Sequence, residues 1–181
     1  MKSIIYKSPA IYSTESCKKA INWFEENIDR AFPGEAGDNN LNNLELKIEL
    51  KESSSFFNLG LAIGKSLEGF KEEYKLFDDH LGEWYLNTAD IWMNKWEPNN
   101  YYDKIHCEAS SKSTFRVFSW MMYLNDIEEG GGTEFLNQGI TTKPKAGDFI
   151  VFPSGPSHMH RGENAPLETK YTITGHFNWM V

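Results

Sequence analysis

The chain has 181 residues, 40% of them hydrophobic and 24% charged, with a formal net charge of −8. That length suits one domain with a sizeable core, and 14% aromatic residues beside only 14 Gly and 7 Pro exclude a disordered or low-complexity chain. The acidic balance disfavours nucleic acid and anionic membranes, which need clustered cations, and no apolar run reaches the length of a membrane-spanning helix.

Lys2 and Lys7 interrupt the N-terminus too early for the apolar core of a secretory signal. Two cysteines, Cys17 and Cys107, are too few for a disulfide scaffold or a four-thiolate zinc site. Together these features lead to the expectation of a cytoplasmic protein with reduced thiols.

Ser13 or Thr14 caps a predicted helix whose apolar residues Cys17, Ala20, Ile21, Phe24 and Ile28 recur at helical spacing. Phe32-Pro33-Gly34 ends it, and the polar stretch 35–43 is expected to be a surface loop. Leu44, Leu46, Ile48 and Leu50 alternate with charged residues, the period of a strand. Phe56, Leu59, Ile63, Leu67, Phe70, Tyr74, Phe77 and Leu81 then step by three and four, a second helix that contains Gly60, Gly64 and Gly69.

From about residue 88 short β-rich runs take over, at 91–96, 101–108, 115–124, 139–143, 149–152 and 171–179. Turn-rich breaks separate them at 97–100, 125–132, 145–147 and 154–156. The expected fold is therefore α+β and mainly β: a sandwich or jelly roll with the N-terminal helices packed on one face. We expect a single domain over 1–181, in which 1–87 is a helical support and 88–181 the catalytic core.

The residues able to do chemistry lie in the β-rich half. His106-Cys107-Glu108 falls in a predicted strand, where alternation puts His106 and Glu108 on one face about 7 Å apart. An imidazole beside a carboxylate is a partial site for a divalent metal, and His158 or His160 would complete it. Two imidazoles and one carboxylate make the facial triad of non-haem Fe(II) oxygenases, with three metal positions left open. Lys170, ten residues after His160, is a cation able to pair with the distal carboxylate of a dicarboxylic co-substrate. The aromatic residues Trp96, Tyr101, Tyr102 and Trp120 neighbour the metal strands, and the loops 99–102 and 125–132 are expected to border the mouth of the site. His80 and His176 show no partner pattern and read as structural, as does Arg116, for which contact with substrate is the alternative.

Residues 120–135, in which Tyr123-Leu124-Asn125 leads to Gly130-Gly131-Gly132-Thr133, resemble the strand and turn that follow the H-x-D motif of prolyl 4-hydroxylase-like 2-oxoglutarate/Fe(II) oxygenases. Residues 143–152 resemble the family's next strand pair, and His160-Arg161-Gly162, Pro166, Lys170 and Trp179 resemble its H-x-G…P…K…W tail. The resemblance covers about 88–180 and implies a double-stranded β-helix, a form of jelly roll. It further implies that His106, Glu108 and His160 ligate Fe(II), and that Lys170 binds the distal carboxylate of 2-oxoglutarate with help from Tyr123 and Thr172. The implied reaction consumes O2 and 2-oxoglutarate, releases succinate and CO2, and hydroxylates an unactivated C–H bond, plausibly of a prolyl residue. Ascorbate belongs to the same expectation, as does a peptide or protein substrate rather than a free small molecule. Glu108 departs from the Asp that most of the family carries, by one methylene.

Gly147, Pro153, Gly155 and His158 fit much of the second cupin motif, with Gly162 in place of its final Asn. A cupin-like metal protein or isomerase that works without 2-oxoglutarate is therefore the alternative, with His158 as its ligand.

Overall fold

The computed structural model describes residues 4–34, 43–51, 56–75 and 83–180. The polar stretch 35–42, Phe77, His80 and Leu81 lie outside the described residues.

After a short strand β1 (Tyr6–Ser8) comes helix α1 (Thr14–Glu26). Its cap is Ser13, whose hydroxyl accepts from Ser16 N at 3.1 Å, so that one of the free first-turn N–H groups is satisfied. Cys17, Ala20 and Phe24 form the buried stripe, whereas Ile28 falls beyond the helix in a single 3-10 turn and is exposed. Strands β2 (Phe32–Pro33) and β3 (Leu44–Lys47) follow, then α2 (Phe57–Tyr74). Leu59, Ile63, Ser66 and Phe70 face inward on α2 at spacings of four and three.

The remaining strands are β4 (Trp84–Leu86), β5 (Trp92–Trp96), β6 (Arg116–Tyr123), β7 (Thr133–Phe135), β8 (Ile140–Thr141), β9 (Phe149–Pro153), β10 (His160–Gly162) and β11 (Lys170–Trp179). One antiparallel sheet has the order β1-β9-β6-β11-β5-β3-β2, with β4 paired to β11. A second, β10-β7-β8, has three short strands. The N-terminal residues thus supply four strands of the larger sheet as well as the two helices.

The expected double-stranded β-helix requires correction. Among the described residues neither sheet closes on itself or on the other, and the fold is α+β with an open eight-stranded sheet and a separate small one. The predicted strand over 101–108, which would have widened the small sheet, makes only the isolated bridge His106↔His160. Alternation in a sequence marks a strand but not its partner, and β7, β8 and β10 are too short to carry pairing round to the edges of the large sheet.

The large sheet has two unlike faces. Met93, Phe118, Met122, Ile173 and Phe177 pack against Phe24, Leu59, Ile63 and Phe70 of the helices in the main core. The opposite face carries Asn94, Ser119, Thr172 and His176, and there Tyr123, Ile150 and Phe152 meet Phe135 of the small sheet in a second, smaller core. This polar face, roofed by the small sheet, is where the candidate site lies.

Candidate metal centre

His160 begins β10, while His106 and Glu108 sit in the irregular link between β5 and β6. His106 N donates to His160 O at 3.0 Å and His160 N to His106 O at 2.9 Å, and this bridge brings the two imidazoles to a centroid separation of 4.3 Å. Below it, Ala109 N donates to Ser154 O at 2.8 Å and Ser113 Oγ to Glu108 O at 3.0 Å, which fixes the main chain on either side of Glu108.

Each imidazole donates through Nδ1 to a carbonyl, His106 to Lys104 O and His160 to His158 O, both at 2.9 Å. A carbonyl only accepts, so the hydrogen that makes each of these bonds resides on Nδ1, and Nε2 is the nitrogen turned toward a metal position. Both Nε2 atoms face one oxygen: Glu108 Oε1 lies 3.3 Å from His106 and 3.5 Å from His160. The three donor atoms all fall within 4.8 Å of one another, a set able to hold a metal ion. Burial pushes the Glu108 carboxyl up; the hydrogen bond and charge of His176 act against it, as do the His106 and His160 imidazoles when they also carry a proton on Nε2, and together these hold it well below the usual range.

A cavity of about 280 Å³ opens beside these three residues. Lys170, Thr172, Thr174 and His176, every second residue of β11, line one wall, as the strand period requires. Lys170 is buried, donates to Gly131 O at 3.0 Å and stands 5.7 Å from the centre of the Trp96 ring. No carboxylate among the described residues makes a direct ion pair with it, and burial pulls its ammonium down to about 8 against the opposing charge of Glu163. The turn that supplies Gly131 O has positive φ at Gly130 and Gly131, and a Cβ at Gly130 would collide with Asn164 O.

Tyr123 is placed differently from the expectation. It does not line the cavity; its hydroxyl bonds to Thr142 Oγ1 at 2.7 Å and Thr133 Oγ1 at 3.2 Å, and only Thr133 reaches the cavity. Burial raises its hydroxyl to about 12, so it remains a neutral donor. His158 is also buried outside the cluster, with Nδ1 on Ser157 Oγ, and contributes to the centre only through the carbonyl that orients His160. Of the aromatic candidates, Trp96, Tyr102 and Trp120 line the cavity, and Tyr102 packs edge-on against His106 at 4.7 Å.

Two residues that read as structural in the sequence stand at the centre. His176 Nε2 donates to Glu108 Oε2 at 3.3 Å and its Nδ1 to Asp90 Oδ2 at 3.2 Å. Arg116 donates to Glu108 Oε2 at 3.4 Å and to Asp90 Oδ2 at 2.9 Å. Burial alone would lower the His176 imidazolium, but Asp90 and Glu108 raise it, and Asp90 is in turn held far below the usual carboxylate range by His176. The signal for His176 was present: it continues the alternation of Lys170, Thr172 and Thr174 on the same face of one strand.

Residues 91–178 match the model of the 2OG-Fe(II) oxygenase superfamily, a segment that contains the three donors and Lys170. That segment belongs to the superfamily. A putative prolyl 4-hydroxylase of Acanthamoeba polyphaga mimivirus is 28% identical over 105 residues, 52% of this chain and 43% of that protein. The 2-oxoglutarate and iron-dependent oxygenase domain-containing protein 3 of Xenopus tropicalis is 30% identical over 89 residues, 45% of this chain and 28% of that protein. The chain thus spans less than half the length of these curated relatives. Among solved structures, a viral collagen prolyl hydroxylase from Paramecium Bursaria Chlorella virus-1, in complex with 2OG, superposes with a TM-score of 0.74 at 16% identity, covering 98% of this chain and 97% of that one. That likeness shows the fold.

The residues present fit both groups that define the superfamily. Two neutral imidazoles and a carboxylate suit Fe(II), whose facial triad they reproduce. A buried lysine without a carboxylate partner, in the same cavity, suits a dicarboxylate such as 2-oxoglutarate. No helix among the described residues is long and apolar enough to cross a membrane.

Proposed function

We propose that the protein is an Fe(II)- and 2-oxoglutarate-dependent dioxygenase that hydroxylates an unactivated C–H bond, with a prolyl residue of a peptide or protein as substrate and residues 1–181 as one catalytic domain. The observation that carries this reading is the shared cavity: a three-donor metal cluster and an unpaired buried ammonium open onto the same space. A metal protein that works without 2-oxoglutarate has no use for such a lysine, which speaks against the cupin-like alternative.

In this reading His106, Glu108 and His160 hold the iron, and the backbone bridge between the two histidines keeps their Nε2 atoms directed at one point. Lys170 binds the distal carboxylate of 2-oxoglutarate, with Thr172 beside it on the same strand face. Tyr123 joins them by exchanging its bond to Thr133 or Thr142 for the carboxylate. Bound iron and 2-oxoglutarate supply the oxidising chemistry, in which O2 is consumed, succinate and CO2 leave, and hydroxyl is delivered to the substrate. Trp96, Tyr102 and Trp120 exclude water around the cavity.

The prolyl peptide assignment draws support from the likeness to a viral collagen prolyl hydroxylase and to a prolyl hydroxylase of Trichoplax adhaerens solved with a hypoxia inducible factor peptide. Free thiols at Cys17 and Cys107 agree with a reducing, cytoplasmic setting. The test is succinate release by the iron-loaded protein with prolyl peptides, with and without ascorbate as reductant. Peptide-stimulated succinate that disappears in Lys170→Ala supports the reading; iron binding without 2-oxoglutarate binding or turnover overturns it.

A further inference from the structure

Glu108 has two oxygens in unlike surroundings. Oε1 faces the two imidazoles, whereas Oε2 accepts from His176 Nε2 at 3.3 Å and from Arg116 Nη1 at 3.4 Å. Neither donor is free to wander. Asp90 Oδ2 takes Arg116 Nη2 at 2.9 Å and His176 Nδ1 at 3.2 Å, and Asp90 Oδ1 is itself fixed by Trp92 Nε1 at 2.7 Å. Arg116 also reaches the backbone carbonyl of Glu108 at 3.3 Å. Asp90 lies two residues before β5, Arg116 opens β6 and His176 lies on β11, and β11 pairs with both β5 and β6. The arrangement is thus built on the centre of the large sheet, outside the metal cluster.

We propose that Asp90, Arg116 and His176 form a tether that restricts Glu108 to ligation through Oε1 alone and thereby sets the affinity and geometry of the metal centre. This inference rests on the metal-binding reading above. A glutamate carries one more rotatable bond than an aspartate, so a glutamate ligand needs more restraint to present one oxygen to the metal. A carboxylate with both oxygens unengaged is able to chelate and so to occupy one of the open positions that a facial triad must keep for co-substrate and O2. Two donors on Oε2 remove that option. His176 and Arg116 are positioning residues: they act on the metal through Glu108 and touch no reacting atom.

The test uses Co(II) titrated into the metal-free protein without oxygen or 2-oxoglutarate, read by calorimetry and by the visible absorption of the bound ion. His176→Phe keeps an aromatic ring but removes both donors, and about a 10- to 100-fold loss of Co(II) affinity is expected, with a changed absorption envelope. His176→Gln retains a side-chain N–H and is expected to recover most of the affinity and the wild-type envelope. Wild-type affinity in His176→Phe, or equal losses in both variants, overturns the tether. Should His176→Phe fail to fold, Asp90→Asn replaces it, with a loss in the same direction expected and unchanged affinity overturning the proposal. Failure of the wild-type protein to bind Co(II) would instead sink the metal-centre reading.

Discussion

His106 and His160 exchange both backbone hydrogen bonds in a bridge that belongs to no strand ladder, and their rings stand 4.3 Å apart. Two candidate ligands remote in sequence are therefore registered by the main chain. Metal binding and folding are separable here, which makes the centre accessible to substitution.

Because main-chain atoms make the bridge, His160→Ala should retain it. Co(II) or Fe(II) binding is expected to vanish, while the metal-free protein loses no more than about 2 kcal/mol of stability. His158→Ala also preserves the carbonyl that orients His160, so its metal affinity should stay within a few-fold of wild type. Parallel metal titrations and thermal melts check both; the opposite pattern would exchange the two histidines.

Lys170 is a buried cation with no direct ion pair among the described residues, its burial offset only in part by the charge of Glu163, a costly arrangement in the empty protein. Lys170→Met keeps the length and removes the charge. At pH 7 the metal-free variant should be at least as stable as wild type, yet its affinity for 2-oxoglutarate should fall by 100-fold or more, about 3 kcal/mol for a buried charged partner. Denaturant melts and anaerobic 2-oxoglutarate titration make the comparison. A variant that is less stable but binds 2-oxoglutarate normally would show that Lys170 is only structural.

Much of this was legible in the sequence, and the rest failed for identifiable reasons. The helix around Cys17 and Phe24, the strand ending at Tyr123 and the strand beginning near Lys170 follow from apolar period and caps. The three donors could be assembled because His106 and Glu108 are neighbours in the chain and His160 stands at a telling distance from Lys170. The pairing of strands was not legible, so an open sheet was read as a closed one. His106 and Glu108 also lie outside any ladder: pairing, not alternation, decides whether a run becomes a strand. The Asp90–His176–Arg116 contacts join two strands and the turn before a third, and a contact of that kind leaves no mark in a single sequence.

Tyr123→Phe tests the hydroxyl bonded to Thr133, a residue that lines the cavity. The variant leaves Thr133 and Thr142 without their shared hydroxyl, which should cost about 1 kcal/mol of stability. If Tyr123 also exchanges one of these bonds for the co-substrate carboxylate, the KM for 2-oxoglutarate should rise about 5- to 10-fold with the KM for peptide unchanged. A change in stability alone would restrict Tyr123 to supporting Thr133.

The depressed Lys170 ammonium gives binding and stability opposite dependences on pH. In the unfolded chain a lysine releases its proton near 10.4, whereas in the folded protein without ligand Lys170 does so at about 8. Between these values the unfolded chain binds more protons, so stability contributed by this group rises with pH across that window. A bound dicarboxylate needs the charged form, so affinity for 2-oxoglutarate should decline as pH passes above about 8, approaching tenfold per unit, with a proton taken up on binding. Calorimetry in two buffers of different ionisation enthalpy at pH 9 measures that uptake. Lys170→Met should lose both dependences, and a wild-type affinity that stays flat from pH 7 to 9.5 would show that the ammonium is not the carboxylate's partner.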